Sequence, residues 1–134
     1  MILYALDTNI VSYFLKEDSE IIERMKIERK NGNNFIIPPT VYYEIQNWLL
    51  VNNSKKKIMI FEKMYLSQGI GVIDKSVLDI ASKILIKLRI NGITIGDDVL
   101  IAAYCIRHNY PLVTNNISHY KDIESLQLVN WKKS

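Results

Sequence analysis

Three acidic residues far apart along the chain occupy similar local positions. Asp7 ends the apolar run of "ILYALDTNIVSYFL", Glu44 falls in "PPTVYYEI", and Asp98 opens "DDVLIAAYCIRHN". A fourth polar group, Thr114, Asn115 and Asn116, follows the apolar "PLV". An isolated buried charge costs several kcal/mol unless it is paired or bound to a metal. Carboxylates gathered within a few ångström repel one another, and either a raised pKa or a divalent cation relieves them. An oxygen-only donor set without His or Cys suits Mg²⁺ or Mn²⁺ better than zinc. A hard cation that keeps several waters commonly serves phosphodiester hydrolysis, by activating water and stabilising the developing charge.

Each residue also has a plainer role. Asp7 and Thr8 suit a helix N-cap. Asp98 complements a helix dipole, although Asp97 beside it is available as the cap. Glu44, between Tyr43 and Ile45, fits a half-exposed helix position, and Asn115-Asn116 is an ordinary turn pair. Their joint placement is what points to a site.

The elements that would position them alternate. Ile2–Leu6 reads as a strand buried on both faces, followed by helices over Asp7–Leu15 and Ser19–Lys30. Ser19 is the expected cap of the second helix, with Ile21, Ile22, Met25 and Ile27 facing in. The turn at 31–34 leads into "FIIPP", a brief strand, and helix resumes near Thr40 with Val41, Ile45, Trp48 and Leu49 on one side. Further helices are expected over 54–67, 76–89 and 97–109, with strands at 71–73, 110–114 and 126–131. This alternation predicts an α/β fold, three-layer α/β/α around a mostly parallel sheet of four to five strands, with ligands at the carboxyl ends of the strands.

The 134 residues fit one domain, 1–134. Hydrophobic residues are 49% and charged residues 23%, which excludes a disordered or fibrous chain. The lone Cys105 excludes an internal disulfide framework and suits a reducing cytoplasm. No signal peptide and no apolar run of about 20 residues is present, so no membrane association is expected. A net charge of +3 is compatible with a polyanionic partner without arguing for one.

The remaining candidates read as structural. His108 and His119 have no partner His at metal-binding spacing. Tyr42, Tyr43, Trp48 and Phe61 sit at core or interface spacings, and Cys105 is a small buried filler. Lys55–Lys57 and Lys132–Lys133 read as a solvated helix start and a frayed tail before they read as phosphate contacts.

"LDTNIVSYFL", "PPTVYYEI", "DDVLIAAYCIRHNYPLVTNNISHYKDI" and "LQLVNW" together resemble the PIN-domain family, and within it the VapC-type toxins of toxin–antitoxin modules. The resemblance runs from Leu3 to Trp131, and the "DxxIAA" helix followed by "LVTNN" is its most specific part. It implies a Mg²⁺-dependent endoribonuclease, Mn²⁺ being an alternative ion, that leaves a 5′-phosphate and a 3′-hydroxyl. Asp7 and Asp98 match metal ligands, Glu44 an acid that acts on the metal through water, and Asn116 the fourth position. Asn116 carries no charge, which weakens any second metal site. Thr8 and Thr114 match hydroxyls that orient the acids or nearby water, and Asn9 completes the "DTN" signature. The implied partners are an RNA substrate, a cognate antitoxin docking on the helices around Glu44, and a second copy in a homodimer. The alternatives are a PIN-fold RNA-processing nuclease without an antitoxin, and a catalytically silent binding module whose acids are helix caps.

Overall fold

The computed structural model describes residues 1–68 and 71–133. It runs β1 (Leu3–Leu6), α1 (Thr8–Leu15), α2 (Ser19–Lys30), β2 (Asn34–Ile36), α3 (Pro39–Val51), α4 (Lys55–Ser67), α5 (Lys75–Ile90), α6 (Asp98–His108), β3 (Leu112–Val113), α7 (Ile117–Tyr120) and β4 (Leu128–Val129). The four strands form one sheet in the order β2-β1-β3-β4, every pair parallel. Leu3 pairs with Asn34, Ala5 with Leu112, and Leu112 with Leu128. The fold is the expected α/β arrangement, at the lower end of the expected strand number.

Burial explains the strand pattern. β1 lies between β2 and β3, and its Ala5 and Leu6 are fully buried. That is why it reads as continuously apolar rather than alternating. The ladder continues past the strand: the Asp7 amide donates to the Val113 carbonyl at 2.9 Å, and the Thr114 amide to the Val129 carbonyl at 2.9 Å. The sheet therefore fixes the backbone of both residues before their side chains make any contact. At the other end of the chain, Trp131 packs edge-on against Tyr4 (5.2 Å) and Phe35 (5.6 Å), clamping the end of the chain over β1 and β2.

Several expectations are corrected. Residues 71–73 form no strand; a Cβ at Gly71 would run into the Tyr104 hydroxyl, so this segment lies as irregular backbone packed on α6. Just beyond β2, the Gln68 side-chain amide bonds both the Ile37 amide (2.9 Å) and its carbonyl (3.1 Å), replacing the pair of bonds a neighbouring strand would supply. Ile2 lies outside β1, and the last two strands shrink to two residues each. Asp18, not Ser19, caps α2 by accepting from the Ile21 amide at 3.1 Å. Ile27 is exposed, because the buried stripe of α2 is Ile21, Met25 and Glu28. Glu28 is tolerated there because Arg24 and Asn33 donate to its two oxygens at 3.0 and 2.9 Å. Asp74 caps α5, which begins at Lys75, while the Asp97 side chain makes no capping bond to α6.

Candidate active site

Asp7 sits at the junction of β1 and α1, 6% exposed, with extended backbone (φ −72°, ψ 164°). Its Oδ1 accepts from the Thr8 amide at 2.9 Å. Its Oδ2 accepts from the Thr114 hydroxyl at 2.8 Å and the Tyr120 hydroxyl at 3.2 Å. An ordinary N-cap bonds the amide two or three residues on. Here capping accounts for one oxygen at most, and the other is turned toward the loop after β3.

Glu44 flanks the buried Val41–Ile45–Leu49 stripe of α3, and its Oε2 accepts from the Thr8 hydroxyl at 2.6 Å. Thr8 thus ties the second acid to the segment that carries the first. Asp98 is the first residue of α6, and its Oδ2 lies 2.7 Å from Nε2 of His119. The short α7 carries two adjacent side chains, His119 to Asp98 and Tyr120 to Asp7. Asn116 donates its amide to the Thr114 hydroxyl at 3.0 Å, while its side chain accepts from Ser118 at 3.2 Å. The structure therefore places Asn116 in the loop that braces Asp7, with its own side chain turned to Ser118. Asn9 meets the Asn115 amide at a long 3.5 Å, and Asn115 donates to the Tyr13 hydroxyl at 3.2 Å.

The acids feel one another. Burial pushes the Asp7 carboxyl above its ordinary value; the Thr114 and Thr8 bonds oppose this and the charge of Asp98 adds to it. Glu44 is raised by burial first, opposed by its Thr8 bond, and raised again by Asp98, Asp7 and Asp97. The Tyr120 phenol and the Cys105 thiol are also raised, chiefly by burial, with Asp7 contributing to both. Asp7, Glu44 and Asp98 thus converge at the carboxyl end of the sheet.

A family model for the PIN domain matches residues 4–123. The chain belongs to the PIN-domain family. Ribonuclease VapC2 of Rickettsia felis is 36% identical to this PIN domain, over 98% of the chain and 99% of the relative. Ribonuclease VapC1 of Haemophilus influenzae is 26% identical, with 98% and 99% covered. Among solved structures, VapBC2 from Rickettsia felis bound to a DNA fragment from its promoter superposes with a TM-score of 0.84 at 29% identity, covering 98% of this chain and 100% of that one. VapBC-1 from nontypeable Haemophilus influenzae shares the fold, with a TM-score of 0.78 at 23% identity over 98% and 100%.

The donor chemistry of this PIN domain fits a hard cation. Among the described residues, no three His, Cys, Asp or Glu side chains are close enough to hold a metal wholly between them. Mg²⁺ asks for less, since one or two carboxylates and several waters suffice. Asp7, which feels the charge of Asp98, and Asp98 itself are carboxylates of that kind. The two hydroxyls occupy both lone pairs of Asp7 Oδ2, so its open position is on Oδ1.

Two residues at the site escape the sequence reading. Tyr120 is an unremarked aromatic in "SHYKDI", and His119 reads as structural. The available signal was their place one turn past the Thr114 loop, at a strand's carboxyl end. The other structural readings hold: His108 packs between Tyr104 (4.7 Å) and Tyr110 (5.4 Å), and Cys105 is fully buried. Tyr42 stacks on Phe61 at 5.2 Å, which places that pair in the packing between α3 and α4. The closing lysines are not a frayed tail, and the Lys132 ammonium is already engaged, while Lys133 is held through its backbone and stays exposed. Lys132 pairs with Asp18 at 2.7 Å and Glu20 at 3.4 Å, and the Lys133 amide donates to Glu20.

Proposed function

We propose that this PIN domain is a Mg²⁺-dependent endoribonuclease and the toxin of a toxin–antitoxin pair. The observation that carries the reading is the gathering of Asp7, Glu44 and Asp98, from three separate elements, at the carboxyl end of the sheet. There Asp7 and Glu44 are held in raised-pKa states by burial and by their acidic neighbours. The naming of relatives as VapC ribonucleases supports the same reading.

In this reading Asp7 and Asp98 hold the ion, with Mn²⁺ as an alternative. When bound, the ion supplies Lewis acidity, lowering the pKa of water and neutralising charge on the phosphoryl oxygens. Thr114 and Tyr120 hold Asp7 in one rotamer. Thr8 holds Glu44 with Oε2 engaged, leaving Oε1 to accept a proton from water or to orient it. Asn116, by bonding Thr114 through its amide, keeps that hydroxyl aimed at Asp7. The substrate is RNA, single-stranded or looped, because an unpaired strand can be drawn past a site at the carboxyl end of the sheet.

Solved structures of similar fold include a toxin–antitoxin complex from Klebsiella pneumoniae and a member of the VapBC family of toxin–antitoxin systems from Mycobacterium tuberculosis. We assign a cognate antitoxin and a second copy of this chain to the apolar faces of α3 and α4, where Tyr43, Leu50, Val51 and Met59 are exposed. Among the described residues no helix is long and apolar enough to cross a membrane. In this reading the site of action is the cytoplasm, a reducing compartment that suits the free, buried Cys105.

The test is cleavage of a mixed RNA pool by purified protein as Mg²⁺ is titrated. Cleavage is expected to require the ion and to vanish in Asp7→Asn and Asp98→Asn. Equal cleavage by those variants removes the assignment. Growth arrest on expression, relieved by co-expression of a small neighbouring gene, separates a toxin from an RNA-processing nuclease.

A further inference from the structure

Asp98 and Asp7 are braced differently. Asp7 receives three donors, two hydroxyls and an amide, and is almost fully buried. Asp98 sits on the exposed first turn of α6, its side chain 36% exposed, and among the described residues one side chain reaches it: His119, Nε2 to Oδ2 at 2.7 Å. An ionised carboxylate only accepts, so Nε2 carries the hydrogen in this pair.

The imidazole itself is well fixed. Its neighbour Tyr120 is 1% exposed and donates to Asp7, which anchors α7. The His119 ring meets the Tyr120 ring edge-on, with centroids 5.1 Å apart and planes at 80°. Consecutive side chains of one turn thus hold the two acids proposed to take the ion. With Oδ2 engaged by His119, Oδ1 is the oxygen of Asp98 that no side chain reaches among the described residues.

We propose that His119 is a positioning residue that makes Asp98 a one-oxygen ligand, and thereby biases the site toward a small octahedral cation over a larger one. The inference rests on the cation site proposed above. Mg²⁺ demands near-ideal octahedral geometry and takes carboxylates through single oxygens, whereas Ca²⁺ accepts two-oxygen carboxylates and six to eight ligands. The His119 donor takes one of the two lone pairs of Oδ2 and fixes that oxygen's direction, so a two-oxygen mode has to share Oδ2 with the imidazole and is disfavoured. Without the imidazole, Asp98 rotates freely at the surface and can offer both oxygens.

Calorimetric titration of the purified full chain with MgCl₂ and, separately, CaCl₂ tests this, using His119→Ala, His119→Gln and Asp98→Asn beside the parent. His119→Ala is expected to weaken Mg²⁺ binding roughly 10-fold, in the range typical of lost partners to metal ligands. Ca²⁺ affinity should hold or rise, so that the Mg²⁺ preference falls. Glutamine places an N–H donor at similar reach and should restore most of the preference. Mn²⁺ bound to the parent should show no nitrogen coupling in spin-echo spectra. An unchanged Mg²⁺-to-Ca²⁺ ratio in His119→Ala overturns the inference, as does nitrogen coupling, which would make the imidazole itself a ligand. If the parent and Asp98→Asn give the same heats with both ions, the cation site is absent and the metal-dependent reading falls too.

Discussion

The carboxyl end of the sheet and the α3–α4 pair treat their side chains in opposite ways. At the sheet end, Asp7 is drawn out of water and Glu44 and Asp98 partly so, and each is met by a donor from another element: Thr114 and Tyr120 on Asp7, Thr8 on Glu44, His119 on Asp98. On α3 and α4 the inner faces are packed by Tyr42, Phe61 and Tyr65, while Tyr43, Leu50, Val51 and Met59 are left facing water. Val51 is 84% exposed and Met59 71%. A polar group that loses water must be given its partners within the fold, so the geometry of the acid end is set before any ligand arrives. An apolar group left in water keeps its burial energy, about 1.5–3 kcal/mol for a large side chain, available for association. One end is prepared for chemistry and the other for contact.

The sharpest contrast comes from substitutions that should separate activity from stability. Asp98→Asn is expected to lower RNA cleavage by more than about 100-fold, beyond the range seen for residues that only support a metal ligand. Its melting temperature without metal should stay near the parent's, since a half-exposed carboxylate among acids is lost. Phe61→Ala should do the reverse in its direct effect. This ring is 1% exposed and stacked on Tyr42, so truncation should cost about 3–5 kcal/mol in urea unfolding. Cleavage per folded molecule should remain within a few-fold of the parent under stabilising conditions. A cleavage loss in Phe61→Ala as deep as in Asp98→Asn would mean that the two regions are not independent.

What was legible in the sequence follows the same division. The strand of Leu3–Leu6, the acid that ends it and the helix "DVLIAAYCIRH" show because local pattern and tertiary role agree there. Asp7, Glu44 and Asp98 could be singled out because parallel sheets collect strand ends at one edge. The residues that hold the acids were harder. Tyr120 and His119 belong to a helix of four residues, too short for a periodic signal, and their role exists only through contacts 113 and 21 residues away in sequence. Glu28 defeats pattern reading for a related reason, because a charged residue in a buried stripe is acceptable only once Arg24 and Asn33 meet it. Residues 71–73 look like a strand, yet Gly71 packs closely against Tyr104 and the Gln68 side chain bonds Ile37, and among the described residues no fifth strand lies beside β2.

The raised carboxyls give a smaller, signed effect. Asp7 and Glu44 bind protons more tightly folded than unfolded, Asp7 chiefly through burial and its neighbour Asp98. Between the ordinary carboxylate range and their raised folded values, the native state holds more protons, so their contribution to stability falls as pH rises through that window. Asp18 and Asp74 are shifted downward and act oppositely at lower pH, so the parent alone would mix the two trends. The difference between parent and Asp7→Asn, followed by urea unfolding in chelator at stepped pH, isolates the site. The variant should gain on the parent as pH increases, and adding Mg²⁺ at neutral pH should return the advantage to the parent. A pH-independent difference would mean that Asp7 is not raised, and would weaken the picture of desolvated acids in mutual repulsion.

The smallest effect on stability is expected where the most apolar surface is exposed. Leu50 (60% exposed) and Val51 close α3 with their side chains in water, so Leu50→Glu with Val51→Glu removes little packing from the isolated chain. Unfolding free energy should change by no more than about 0.5 kcal/mol, as for ordinary surface positions. RNA cleavage should be unaltered, because the two side chains make no bond to the acids or their donors. Association should change instead: sedimentation of the purified variant should show a smaller species than the parent, or a lost complex with the co-expressed partner, since two new charges would have to be desolvated at the contact. Should the double variant unfold several kcal/mol more easily while its mass and partner binding stay the same, this face supports its own fold, and its exposed residues would not be a surface reserved for association.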